Sequence, residues 1–470
     1  MKVFHLSVEC FPVAKVGGLA DVVGALPRYQ RQLGIDAAVV MPWYDLPFTR
    51  DHRWDLFSTG SIFQGSELIS YNVYKESVDS LGFPLYTIKI DGKLDRKEVY
   101  GYADEGEQWI AFQHAFLDWL CNSDLQLDII HCHDHHTGLI PFLIQYGNDF
   151  KKVSKIKTVF TVHNGQYQGK MNWNKGILLP AFDTWKWGLL DWDGMINSLA
   201  AAVKCANAFT TVSEGYLQEL FVEANGLESL FRHEAAKSYG IVNGIDTTYW
   251  SPASDTLISN KYEIDDAQRG KLLNKAAFCQ RVGLPVEFPL VSYIGRFARE
   301  KGADLLPLVI EKLFATSREV AVYVLGSGDS DLQNRLAELA IKYADRLAVY
   351  FGYNEALAHE VYAASDMLLM PSRVEPCGLN QLYALKYGTI PVVRGVGGLR
   401  DTVKDTSQDE GYGFVFNNIH TQEIVDTIGR ALDQFHSSDW HVIVQRAMQL
   451  DFSWDKSAKK YIDLYYQLLK

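Results

Sequence analysis

The chain has 470 residues, 47% of them apolar, and a formal net charge of −12. Single cores stop growing at about 250 to 300 residues, so two domains are expected, and the negative charge opposes a polyanion over most of the surface, which excludes nucleic acid as a main partner. Only a short apolar run precedes Glu9, and no later stretch approaches the roughly 18 uncharged residues of a membrane span, so a soluble, cytoplasmic protein without membrane association is expected.

Short runs rich in Val, Ile and aromatics, each followed by a Gly-containing turn and an amphipathic segment, recur along the chain and predict βα units of a buried parallel sheet. The first strand, Val3–Val8, runs into KVGGLADVVGALP. There Gly17 and Gly18 allow a tight turn and close backbone approach, and Leu19, Val22, Val23, Leu26 and Leu33 give the next helix an apolar stripe. The N–H groups at that helix start suit an anion, and Lys15 beside them is a cation that folding does not need. After a strand at Ala37–Met41, the strand Leu127–Ile130 leads into HCHDHHTG. His131, His133, Asp134, His135 and His136 stand as metal ligands, as partners of sugar hydroxyls, or as caps and core contacts. A parallel strand end supplies side chains to a ligand crevice without an ion, and no second ligand cluster has a recognisable spacing, so no metal is expected. The strand Thr158–Val162 delivers His163 and Asn164, in TVHNGQYQG, to the same kind of crevice, and Ala208–Val212 completes this half.

The passage NGIDTTYWSPASDTLIS, residues 243–259, is rich in turn formers and has neither the helical nor the strand period, which marks a linker between domains 1–242 and 260–451. In the second half the predicted strands are Leu290–Ile294, Val320–Leu325, Leu347–Phe351, Met367–Met370 and Ile390–Val393. IGRFAREKG sets Arg296 and Lys301 on a loop before a helix near Ala303, where a guanidinium and an ammonium suit a departing diphosphate. VLGSGDSDL has Gly326 and Gly328 but Asp331 where a dinucleotide fingerprint wants a third glycine, which argues against a nicotinamide-dependent dehydrogenase. PSRVEPCGLNQLYALKYG places Glu375 before a helix with the stripe Leu379, Leu382, Leu385 and Tyr387. That carboxylate, beside the N–H groups from Cys377 to Asn380, suits sugar hydroxyls and phosphate oxygens. No general base has a recognisable spacing to Cys377, so a contact role is preferred to a nucleophile. The six scattered cysteines lack C-x-x-C pairs and are expected to be reduced thiols. Residues 452–470 form a last helix whose apolar stripe, Trp454, Ala458, Tyr461, Ile462, Tyr465, Leu468 and Leu469, must be buried.

These segments in order, with TVSEGY, IVNGIDTTYW, EPCGLNQLYALKYGTIPVVRGVGGLRDTV and FSWDKSAKKYIDLYY, resemble the bacterial glycogen synthases and plant starch synthases along nearly the whole chain. The resemblance implies a GT-B fold, an α/β architecture of two facing Rossmann-like, doubly wound domains with a cleft between them and a C-terminal helix crossing back to the first. It further implies retaining transfer of glucose from ADP-glucose to the non-reducing end of an α-1,4-glucan, with no cofactor or metal. The first domain would take the acceptor side and the second the nucleotide sugar. Carried over by position, Lys15, Gly17 and Gly18 border the phosphates, and Asp134, His163, Asn164 and Asn243 line the glucosyl site. Arg296 and Lys301 bind the diphosphate, and Glu375, Cys377, Gly378, Leu379 and Asn380 hold the sugar and its phosphate. Two departures are Val16, where the family usually has Thr, and Asn380, often Thr. Tyr383 stands where related transferases, though not the glucan synthases, carry a second Glu. Trp173, Trp185, Trp187 and Trp192 are either hydrophobic anchors or faces for glucan rings. A UDP-glucose-dependent relative and a non-catalytic glucan-binding protein are the alternatives.

Overall fold

The computed structural model describes all 470 residues, Met1–Lys470. They form two compact units, Met1–Gly244 together with Trp454–Lys470, and Ile245–Ser453. No helix is long and apolar enough to cross a membrane.

The sheet of the first unit has nine strands, in the order Ser238–Gly240, Ala208–Thr211, Lys157–Val162, Ile129–His133, Lys2–Leu6, Asp36–Pro42, Leu85–Lys89, Glu67–Glu76, Trp54–Gln64. The first seven are parallel, and the last two add an antiparallel hairpin at one edge. The five strands expected in this half are present with shifted ends. The hairpin was not anticipated: Leu56, Phe57, Phe63 and Leu68 face solvent, and the polar run Ser58–Ser61 interrupts any apolar signal. From Lys2–Leu6 the chain first builds outward through Asp36–Pro42, then returns to build the other side from Ile129–His133. The carboxyl ends of Lys2–Leu6 and Ile129–His133 therefore flank the topological switch point, where open α/β sheets hold ligands.

The final helix, Trp454–Leu469, belongs to this unit. Its Trp454, Ala458, Tyr461, Ile462 and Tyr465 are buried in one cluster with Val22, Leu26 and Tyr29 of the helix Gly18–Gln32 and with Ile241. The large apolar side chains among these, such as Val22, Leu26 and Ile462, each contribute about 1.5 to 3 kcal/mol when fully buried. Ser457 Oγ adds a 2.6 Å hydrogen bond to the Val242 carbonyl. Two residues assigned to apolar stripes are exposed, Leu33 because the first helix ends at Gln32, and Leu469 because it sits in the last turn of the chain.

The second unit holds six parallel strands in the order Leu347–Phe351, Ala321–Gly326, Leu290–Ile294, Met367–Met370, Ile390–Arg394, Phe414–Phe416. Its switch point lies between Leu290–Ile294 and Met367–Met370, and the loops leaving those strands interlock. Gly302 sits at φ +68°, and a Cβ there would lie 2.0 Å from the Pro371 carbonyl oxygen, so glycine is required at the crossing. The expected helix near Ala303 starts as short 3-10 turns and becomes α-helical over Leu306–Phe314.

The supposed linker 243–259 is corrected by packing. From Ile245 onward it is part of the second unit. The Trp250 ring stacks between His359, at 3.8 Å, and Tyr383, at 3.9 Å. Asp255 Oδ2 accepts from His359 Nδ1 at 2.7 Å and from the Tyr387 hydroxyl at 2.5 Å. The turn-forming residues hid the signal, which was the aromatic pair Tyr249 and Trp250. Tyr383 thus has a packing partner in Trp250.

Candidate active site

At the switch point of the first unit, the loop after Lys2–Leu6 meets the start of the helix Gly18–Gln32. The anion at that helix start is the protein's own: Glu9 Oε2 accepts from the Val16 N–H at 2.6 Å and the Gly17 N–H at 2.9 Å. Glu9 Oε1 accepts from the Tyr100 hydroxyl at 2.5 Å, and burial together with this carboxylate raises the Tyr100 hydroxyl above its ordinary range. The expectation that these amides stand free is therefore corrected for Val16 and Gly17. Lys15 Nζ donates to Asp21 Oδ1 at 2.7 Å and remains partly exposed. Neither glycine is explained by a turn: Gly17 is extended, at φ −140°, and a Cβ on Gly17 or Gly18 would meet nothing within 4 Å. The open space faces away from the fold's own atoms, so folding alone does not call for glycine there.

Asp134, just beyond Ile129–His133, holds φ at +56°, a strained position for a non-glycine residue that costs on the order of 1 to 3 kcal/mol. Its N–H donates to the Thr161 carbonyl at 3.0 Å and its Oδ1 accepts from the His163 N–H at 2.7 Å, which ties the two strand ends together. Burial raises its carboxyl to about 7, against the lowering effect of the His163 and Asn164 amides. His163 is buried, and desolvation lowers its imidazole to about 3, so the ring is neutral. Asn164 Oδ1 caps the turn by accepting from the Gln166 N–H at 3.0 Å. Asn243 is buried, and its Oδ1 has no hydrogen-bond partner in the unit, an unmet acceptor of the kind a ligand hydroxyl satisfies.

The histidine run divides by depth. His131 and His133 lie on the strand and are fully buried, with His5 of the neighbouring strand close enough that nitrogens of all three lie within 4.8 Å. Their ring nitrogens are already committed: His131 Nδ1 pairs with the Tyr465 hydroxyl and its Nε2 with Thr161 Oγ1, both at 2.6 Å, while His5 and His133 pair with each other at 3.1 Å. His136 stacks on Tyr100 at 5.2 Å. The core-contact reading thus accounts for His131, His133 and His136.

In the second unit, Lys301 Nζ donates to both oxygens of Glu375, at 2.7 and 2.8 Å, and Ser372 Oγ donates to Glu375 Oε2 at 2.9 Å. Glu375 is nearly buried, whereas Arg296 is open to solvent and pairs with Glu300 at 3.0 Å. The two candidate cations and the candidate carboxylate therefore sit at one switch point, on the loops that leave its two flanking strands. Cys377 is buried, Gly378 has φ +74°, and Leu379 precedes the helix Asn380–Lys386, its carbonyl accepting from the Leu382 and Tyr383 amides at 2.9 and 3.0 Å. Asn380 Nδ2 is spent on the Ile294 carbonyl at 2.7 Å, which leaves its backbone for a ligand contact.

Sequence reasoning missed Glu9, Tyr100 and Ser372. Glu9 had a signal, a carboxylate directly after the first strand at the switch point, while Tyr100 reaches it only through the fold. Of the four tryptophans, Trp173 bonds Asp191 at 2.6 Å and Trp192 bonds the Gly226 carbonyl at 2.9 Å as anchors, whereas Trp185 is 91% exposed and Trp187 54%. All six cysteines are free thiols.

Comparison with known proteins places these features. Residues 2–233 match the model of the starch synthase catalytic domain, and residues 274–439 match that of the glycosyl transferases group 1. The chain is 46% identical to a glycogen synthase of Flavobacterium johnsoniae over 99% of its own length and 98% of that protein, and 37% identical to one of Geobacillus thermodenitrificans over 100% and 98%. The catalytic domain of starch synthase IV from Arabidopsis thaliana, solved bound to ADP and acarbose, superposes with a TM-score of 0.90 at 31% identity, covering 100% of this chain and 99% of that one. A sucrose-phosphate synthase from Thermosynechococcus elongatus shares the fold alone, at TM-score 0.64 and 18% identity over 99% and 98% of the two chains.

Proposed function

Because the chain belongs to the glycogen and starch synthase family of GT-B glycosyltransferases, we propose that it extends an α-1,4-glucan with glucose taken from ADP-glucose, with retention at the anomeric carbon and without a metal. The observation that carries the reading is the group Arg296, Lys301 and Glu375 at one switch point, where Lys301 pairs with the buried Glu375 carboxylate and Arg296 pairs with Glu300. On arrival of the sugar donor, Lys301 and Arg296 exchange their carboxylate partners for diphosphate oxygens. Glu375, released from Lys301, accepts from glucose hydroxyls, and the amides of Cys377, Gly378, Leu379 and Asn380 take phosphate oxygens. In the first unit Lys15, Gly17 and Gly18 border the phosphates, and Asp134, His163, Asn164 and Asn243 contact the glucosyl group.

Stabilising the charge on the departing ADP lowers the barrier most, and each well-placed donor to it is worth roughly 3 to 4 kcal/mol in a desolvated site. The acceptor 4-hydroxyl attacks C1 on the face that ADP leaves. The new C1–O bond forms as the bond to phosphate breaks, and the hydroxyl proton passes to the departing phosphate oxygen. This route needs no carboxylate nucleophile.

The test is to mix protein and glycogen with ADP-glucose or UDP-glucose and follow nucleoside diphosphate. ADP release that requires glycogen is the expected result, and chelators should leave its rate unchanged. Glycogen binding without ADP release would support a glucan-binding protein instead, equal use of UDP-glucose would remove the donor assignment, and a strict need for a divalent ion would overturn the metal-free reading.

A further inference from the structure

The polar cluster of the first unit continues inward from His163 as a single hydrogen-bonded chain. His163 Nε2 lies 3.0 Å from His133 Nδ1, and His133 Nε2 lies 3.1 Å from His5 Nδ1. His5 Nε2 lies 2.8 Å from Gln30 Oε1, and Gln30 Nε2 donates to the Tyr465 hydroxyl at 3.1 Å. His5, Gln30, His133 and Tyr465 are fully buried, and they come from two strands, the helix Gly18–Gln32 and the final helix. None of these contacts is needed to fill space, since an apolar side chain of like shape would do so without the cost of burying polar atoms.

The direction of the chain follows from valence. A neutral imidazole has one N–H and one lone pair, and an amide oxygen can only accept. With Gln30 Oε1 facing His5, the His5 proton is on Nε2 and its Nδ1 accepts. His133 must then donate from Nε2 and accept at Nδ1, so His163 donates from Nε2 and keeps a bare lone pair on Nδ1. Burial keeps the rings neutral, lowering His5 to about 4 and His133 well below its ordinary value. A second branch continues the same pattern. With His131 donating from Nε2 to Thr161 Oγ1, its Nδ1 accepts the Tyr465 hydroxyl proton. Tyr465 then accepts from Gln30 Nε2, in keeping with the Gln30 oxygen facing His5.

We propose that Gln30, oriented by Tyr465 of the final helix, is a positioning residue that sets the tautomer of His163 through His5 and His133, so that Nδ1 of His163 is an acceptor for a sugar hydroxyl. The proposal rests on the assignment of His163 to the glucosyl site. It gives the final helix a role beyond apolar cover, because one hydroxyl on it determines the state of a ring four hydrogen bonds away.

Two variants, Tyr465→Phe and Gln30→Met, test it, each checked for an intact fold by melting temperature, with His163→Gln used to assign the ring in 15N imidazole spectra. In the wild type His163 should be a single neutral tautomer protonated at Nε2. Either variant should give a mixture of tautomers and a kcat lowered about five- to tenfold, with KM for ADP-glucose unchanged. Should Gln30→Met fail to fold, Tyr465→Phe, which removes one oxygen, carries the test. A wild-type ring protonated at Nδ1, or a His163 tautomer unchanged in both variants, overturns the inference. So does a shifted tautomer with unchanged kcat. All three outcomes leave the proposed function standing if the wild type still releases ADP with glycogen, and loss of that release condemns the function itself, whatever the tautomer.

Discussion

The two units present opposite solutions at corresponding places. At the switch point of the first, His163, His133, His5 and Gln30 are buried, neutral and joined in one hydrogen-bonded network. At the switch point of the second, they are charged and compensate in pairs, Lys301 with Glu375 and Arg296 with Glu300. A neutral network fixes geometry, whereas paired charges can change partners when an anion arrives. In the proposed reaction, shape and hydroxyl contacts fall to the first unit and leaving-group charge to the second.

The comparison can be broken most severely by truncation before Phe452. This removes Trp454, Tyr461 and Tyr465 from the first unit's core and should abolish transfer, with increased binding of a hydrophobic dye. A soluble truncated protein with unaltered turnover would contradict the dependence of the first unit on its returning helix. Next, Arg296→Ala and Lys301→Ala should each lower turnover by about a hundredfold or more. They should differ in stability. Exposed Arg296 should leave the melting temperature nearly unchanged, while loss of Lys301 strands the nearly buried Glu375 and should cost about 1 to 3 kcal/mol in denaturant titrations. Equal loss of activity and stability in Arg296→Ala would remove its role at the leaving group. Glu375→Gln keeps the shape and loses a charge-assisted bond, so kcat/KM should fall by an amount equivalent to about 1.5 to 3 kcal/mol, and wild-type kinetics would remove Glu375 from the site.

The smallest effect is on stability, and it separates the units by pH. In the first unit burial lowers His163 to about 3, His5 and His135 to about 4, and His131, His133 and His136 well below the ordinary value. Unfolded histidines titrate near about 6.5, so the unfolded state takes up more protons below that pH. Their contribution to stability is present above pH 6.5 and is lost as pH falls toward 4. Asp134 works in reverse: its folded value near 7 means its contribution is lost as pH rises from about 4 to 7. Six groups outweigh one. Hydrogen exchange, corrected for intrinsic rates, should show protection of Ile129–His133 falling between pH 6.5 and 5 at up to about 1.4 kcal/mol per pH unit for each histidine, while Leu290–Ile294 changes little. Parallel loss in both strands would contradict the contrast.

Much of this was legible in the sequence because strand ends and motifs are local. The buried parallel strands announced themselves by composition, and the loops holding Lys15, Asp134, His163, Arg296 and Glu375 follow such strands directly. What was not legible depends on distance along the chain. Gln30 and Tyr465 meet across 435 positions, and nothing in GALPRYQ or DLYYQ indicates that the two polar tips touch. Glu9 was visible as a carboxylate but not as the occupant of the Val16 and Gly17 amides, because that needs the loop to fold back on itself. The segment 245–259 was misread for a different reason: turn formers set its backbone, while Trp250 and Asp255 set its packing.

Transfer of a labelled glucosyl unit tests the central claim most directly. Protein, maltoheptaose and ADP-glucose carrying 13C at C1 are combined, and the anomeric signal of the product is read by NMR. A labelled residue α-linked to O4 of the non-reducing end, formed in step with ADP, is the expected result. A β-linked product, labelled free glucose, or an acceptor left unlabelled would contradict retaining transfer to an α-1,4-glucan.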